Sequence, residues 1–192
     1  MSSTRVTLQT PSGIGSAASF GVEELRRALT AQGYLITDRH PECQIIVTQG
    51  AASLPAGPQE PAARPESYII SKLPPCGVAV AGRDEKGMMY GCLDLAEQIE
   101  MGRAPAFIIE RNASPELAVR GLYRFLFNEQ AERDWVNAPA FWQGYADELA
   151  RCRYNRFNLI YGHQSPYLIP IYAFMLDELE KDFPQIQVKD IT

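Results

Sequence analysis

Gly77-Val78-Ala79-Val80-Ala81-Gly82-Arg83-Asp84-Glu85-Lys86-Gly87-Met88-Met89-Tyr90-Gly91-Cys92-Leu93-Asp94-Leu95-Ala96-Glu97-Gln98-Ile99 is the stretch from which the rest of the chain is read. Gly77–Ala81 is a short apolar run of strand length, and Gly82-Arg83-Asp84 is the turn that ends it. A helix follows from about Lys86 to Met101, because Met88, Cys92, Leu95, Ala96 and Ile99 recur at helical spacing. Gly82 and Gly87 have the glycine spacing of a phosphate-binding loop. The Lys-Ser/Thr pair that reaches phosphate and metal is missing, however, and acidic residues occupy the loop. The stretch reads as strand, turn and helix, without a nucleotide.

Working back towards the N-terminus, Ser67–Lys72 predicts a second strand, joined to Gly77–Ala81 around Pro74-Pro75. Residues 50–66, with Pro55, Gly57, Pro58, Pro61 and Pro65, read as a loop. Gln44–Thr48 and Tyr34–Thr37 are two further short strands. Val22, Leu25, Ala28 and Leu29 share one face of a helix from about Val22 to Gln32, with Gly33 placed as its C-terminal cap. Arg5–Gln9 alternates polar and apolar residues, as a strand with one buried face does. The order is β-α-β-β-β-β-α, an α+β unit over residues 1–112.

Working forward, Asn112-Ala113-Ser114-Pro115 separates a second unit, residues 113–192. Val119–Phe127 is an apolar strand candidate. A polar stretch precedes a helix from about Ala140 to Arg153, with Trp142, Tyr145, Leu149 and Cys152 on one side. Phe157–Tyr161 is another strand, so this unit reads as a parallel βαβ. Another helix is expected near Ile171–Lys181.

Gly82, Asp84, Gly87, Tyr90, Gly91 and Leu95 fit the pattern Gly-x-Asp followed by Gly-x-x-Tyr-Gly-x-x-x-Leu. This resembles the small α/β domain (hexosaminidase domain-2-like) that precedes the catalytic barrel of family 20 β-hexosaminidases and α-glucuronidase-like glycosidases. Val119-Arg120-Gly121-Leu122 is similar to the Arg-Gly of the first barrel strand. Ala150–Ile160 is similar to the first barrel helix running into the second strand. The likeness spans most of residues 5–165, in order. It implies the non-catalytic N-terminal portion of a glycoside hydrolase, followed by the start of a (β/α)₈ barrel. A complete barrel of about 250 residues does not fit. The catalytic carboxylates of these families lie on later strands, so the resemblance implies a chain inactive alone. It further implies sugar contacts at Arg120, which matches an arginine that holds substrate hydroxyls, and at Asn128 and His163, which follow the two barrel strands. A structural ion pair at the barrel entrance is the other reading of Arg120. The implied partner is a carbohydrate, and neither cofactor nor metal is expected.

Composition narrows the partners. The net charge is −5 and charged residues make up 21%, which excludes the clustered Lys/Arg of a nucleic-acid surface. No apolar run reaches the roughly 18 residues of a membrane span, and no signal-like segment opens the chain, so a cytoplasmic protein is expected, with a secreted or periplasmic one as the alternative if an export signal has been removed. Cys43, Cys76, Cys92 and Cys152 form no Cys-x-x-Cys pair and read as buried free thiols. With only two barrel strands, Val119, Leu122, Phe125, Phe127, Phe157, Leu159 and Ile160 are expected to stay partly uncovered and to favour self-association.

Two other functions are compatible with these residues. A short relative of the glycosidase domain could bind a carbohydrate or a partner without chemistry. Alternatively, Gly13-Ile14-Gly15-Ser16-Ala17-Ala18, with Asp38 some twenty residues on, fits a Rossmann-type dinucleotide fingerprint. Against it, the first strand alternates instead of being solidly apolar, and the later strands lack intervening helices.

Overall fold

The computed structural model describes residues 4–50, 60–126 and 129–161. Phe127, Asn128, His163 and the expected helix near Ile171–Lys181 lie outside these. The chain divides into two compact units, Met1–Ala118 and Val119–Thr192.

The first unit is a mixed α+β structure. Its strands are β1 (Arg5–Gln9), β2 (Leu35–Ile36), β3 (Cys43–Gln49), β4 (Tyr68–Leu73), β5 (Gly77–Gly82) and β6 (Arg111–Ala113). Its helices are α1 (Ser16–Ala31) and α2 (Glu85–Glu100). The sheet runs β2-β1-β3-β5-β4-β6, with β2, β1, β3 and β5 parallel and β4 antiparallel to both its neighbours.

Alternation sets the faces. Val6, Cys43, Ile45, Val47, Ile70, Val78 and Val80 point to the face that receives Leu25 and Leu29 of α1 and Met88, Cys92, Leu95 and Ile99 of α2. Burying side chains of this kind stabilises by roughly 1.5–3 kcal/mol each. The two helices lie side by side and parallel. Gly15 meets Glu85 at their N-terminal ends, a Cβ on Gly21 would press on the Met89 backbone, and Arg27 pairs with Glu100 at the far ends.

α1 starts at Ser16, six residues before the expected Val22. Its first turns carry Ala18 and Gly21, both buried but too small to register as an apolar stripe. The strand β6 has no apolar alternation to announce it. Pairing with β4 makes it, and Gln98 holds the approach by accepting from Ile109 N at 2.6 Å and donating to Ile109 O at 3.1 Å.

The cysteine expectation needs correction. Cys43 and Cys76 form a disulfide; Cys92 is a buried free thiol and Cys152 an exposed one. Cys43 opens β3 and Cys76 immediately precedes β5. The register Gln44↔Gly77 therefore brings their Cα atoms to 4.9 Å although 33 residues separate them in sequence.

The second unit pairs β7 (Gly121–Leu126) with β8 (Arg156–Tyr161) in parallel, as a βαβ unit requires. Between them lie α3 (Glu129–Val136), where a merely polar stretch was read, and α4 (Pro139–Arg151). Trp142 and Tyr145 of α4 pack on Phe157 with ring centroids 5.9 and 5.3 Å away, so Leu122, Arg124 and Phe157 share the helix-covered face. Gly121, Tyr123 and Phe125, with Arg156, Asn158 and Ile160, form the opposite, exposed face.

Candidate functional site

In parallel α/β structures ligands bind beyond the carboxyl ends of the strands, so that edge of the first unit comes first. The glycines singled out in the sequence are there. Gly13 has φ 72°, a left-handed turn, and Gly15 is the N-cap of α1. Yet the helix N-terminus already holds an anion of the chain's own, because Gly15 N donates to Glu85 Oε1 at 2.9 Å. A side chain on Gly15 would meet that same carboxylate. Asp38, the acid a ribose would need, accepts from Thr7 Oγ1 at 2.7 Å. Gly15 is thus engaged with Glu85 of α2, and Asp38 with Thr7 of β1.

The Gly82–Gly91 segment is likewise built for packing. Asp84 caps α2: its Oδ1 accepts from Gly87 N at 2.8 Å and its Oδ2 from Glu66 N at 2.9 Å. One carboxylate therefore starts the helix and anchors the loop that leads into β4. Glu66 stands at φ 66°, and its buried carboxylate lies 3.5 Å from Lys86 Nζ. Cβ atoms on Gly82 and Gly87 would strike the backbone of Met88 and of Ser67, and one on Gly91 would lie 2.6 Å from Val80 Cγ1. Tyr90 is buried, and the neighbouring Asp94 accepts from the Tyr68 hydroxyl at 2.8 Å.

A depression of about 400 Å³ opens nearby, lined by Arg64, Pro65, Glu66, Pro115, Glu116 and Ala118. Among the described residues no cluster of three His, Cys, Asp or Glu side chains is arranged to hold a metal. No helix there is long and apolar enough to cross a membrane.

In the second unit Arg120 immediately precedes β7, at its N-terminal end. Its Nε donates to Arg153 O at 2.7 Å and its backbone N to Asn155 Oδ1 at 2.9 Å, while Arg120 O accepts from Asn155 N and Arg156 N. Arg120 thus ties the start of β7 to the turn before β8. Asn128 and His163 lie outside the described residues. Sequence reading passed over Glu132 of α3, which is 1% exposed and paired with Arg124 Nη2 at 3.1 Å. The Arg124 guanidinium in turn lies 5.6 Å from the Trp135 ring centre. Only the helical spacing of Glu132 and Trp135 could have marked this cluster, and the surrounding polar residues masked it.

No family model and no curated protein matches the sequence. Among solved structures the chain is similar to a GH138 enzyme targeting pectin rhamnogalacturonan II, with TM-score 0.65 and 20% identity over 82% of this chain and 19% of that one. It is also similar to a GH115 4-O-methyl-α-glucuronidase with specificity for decorated arabinogalactans, with TM-score 0.62 and 18% identity over 90% of this chain and 27% of that one. The chain therefore spans under a third of the length of either enzyme. At these identities the likeness is one of fold: the chain is built like a portion of these glycoside hydrolases.

Proposed function

We propose that the chain supplies the N-terminal α/β unit and the first two barrel strands of a glycoside hydrolase, and that its described residues are scaffold. The likeness to the GH138 and GH115 enzymes carries this reading, since it covers 82% and 90% of the chain and thus reaches into both units. The residue pattern at Gly82–Leu95 and Val119–Leu122 supports it independently. Glycosidases place two carboxyl groups about the scissile bond, or substitute the substrate's acetamido group for one of them. In the families resembled, these groups sit on barrel strands after the second, so chemistry is assigned to residues beyond β8. Asn128 and His163, which follow β7 and β8 in the sequence, are the proposed sugar contacts. Arg120 is given the fastening role that its hydrogen bonds describe.

The substrate proposed is a decorated polysaccharide, with hexosaminide and α-glucuronide linkages both in the assay. The polypeptide of the complete reading frame should release sugar from rhamnogalacturonan II, decorated arabinogalactan, or aryl α-glucuronides and N-acetyl-β-hexosaminides. The 192-residue chain should not. Turnover by the 192-residue chain itself overturns the scaffold assignment. Saturable oligosaccharide binding by it, without turnover of any substrate by the complete polypeptide, favours the non-catalytic binding module.

A further inference from the structure

We propose that the Cys43–Cys76 disulfide is a latch closed by oxidation, and that the chain works in a compartment oxidising enough to keep it closed. The bond joins neighbouring parallel strands at their N-terminal edge, where Gln44 N donates to Cys76 O at 3.1 Å. Between the two cysteines lie β3, the loop before β4, and β4 itself, which reverses direction in the sheet. The latch thus encloses the strand that reverses direction within the sheet. Cys43 is buried in the core and Cys76 packs against that core, so the bond is built into the structure.

Oxidation has one outcome within this unit. Its third cysteine, Cys92, lies wholly buried on α2, and burial pushes its thiol up to about 12, which keeps it protonated and unreactive. Cys152 belongs to the other unit and is exposed. Closing the latch transfers two electrons and two protons from the Cys43 and Cys76 thiols to an incoming disulfide, such as oxidised glutathione or a disulfide-bonded protein oxidant. That oxidant leaves as two thiols. Such bonds persist in secreted, periplasmic or lumenal settings and are rare in reducing cytosol. The latch revises the cytoplasmic expectation and requires nothing of the glycosidase reading.

The test is acid quenching of the producing cells, followed by N-ethylmaleimide labelling under denaturing conditions and peptide mapping. The expected result is a joined Cys43–Cys76 peptide, with label on Cys92 and Cys152. Label on Cys43 and Cys76 before any reductant is added overturns the proposal. For the purified 192-residue chain, reduction, or Cys43→Ala with Cys76→Ala, should lower the folded-to-unfolded ratio by about a hundredfold or more. Cys152→Ser should leave that redox dependence unchanged. Equal urea midpoints for bonded and reduced chains overturn the latch.

Discussion

Replacing Asp84 by alanine tests whether one carboxylate organises the α2 end of the sheet. In the folded chain it accepts from Gly87 N at 2.8 Å and from Glu66 N at 2.9 Å. Losing the helix cap costs about 1 kcal/mol, within a range of roughly 0.5–2. Stranding the partly buried Glu66 N–H costs about 1–3 kcal/mol more. The sum, about 2–4 kcal/mol, is a large share of a typical stability of roughly 5–15 kcal/mol. At a urea slope of about 2 kcal/mol per molar, the midpoint falls by about 1–2 M. Far-UV circular dichroism is the readout, because both tryptophans, Trp135 and Trp142, lie in the other unit and their fluorescence follows that unit. Asp84→Asn separates the two bonds. It keeps an oxygen for Gly87 N but turns an amide N–H towards Glu66 N, so it should lose only the second contribution. An Asp84→Ala protein within about 0.5 kcal/mol of wild type would refute the reasoning, since that is the scatter of an inconsequential surface change. So would Asp84→Asn falling as far as alanine.

Gly87→Ala should destabilise more than Gly91→Ala by the same urea measurement. The new methyl meets the Ser67 backbone carbonyl in the first case and the movable end of Val80 in the second, where about 1–3 kcal/mol of overpacking is expected. Stability should decline above about pH 9, because the unfolded chain ionises Cys92 near the usual thiol range whereas the folded chain holds the proton up to about 12. That contribution is complete below the unfolded pKa and is lost, at about 1.4 kcal/mol per pH unit, as pH rises towards 12. Its disappearance from the pH profile of Cys92→Ala is the check. Calorimetric titration with NAD or NADP should show no saturable binding, since Glu85 already occupies the α1 N-terminus; measurable affinity lost on Gly15→Asp would restore the dinucleotide reading. Light scattering should show concentration-dependent self-association relieved by Phe125→Glu, because Tyr123, Phe125 and Ile160 are 72%, 42% and 40% exposed on one sheet face. A monomer at every concentration would contradict this.

Much of the fold was legible because its elements announce themselves locally. β5 and α2 follow from an apolar run, a Gly-x-Asp turn and helical spacing, and the βαβ order of the second unit from near-continuous apolar strands. What escaped lacked a local signature. The first turns of α1 carry small residues, β6 exists through its pairing with β4, and α3 presents a mostly polar sequence. The site was less legible still. The residues quoted for the family resemblance, Gly82, Asp84, Gly87 and Gly91, serve close packing and capping, and they mark a scaffold more than a reacting centre.

By itself, the sequence determined the α+β class and the order of most elements, because periodicity is a property of neighbouring residues. Tertiary structure alone decided which distant groups meet. Parallel pairing of β3 with β5 joined Cys43 to Cys76 across 33 residues, and the parallel helices set Glu85 on the glycine turn that had suggested a nucleotide. The physical reason is that a side chain's partner is fixed by strand register and helix packing, which linear spacing does not encode.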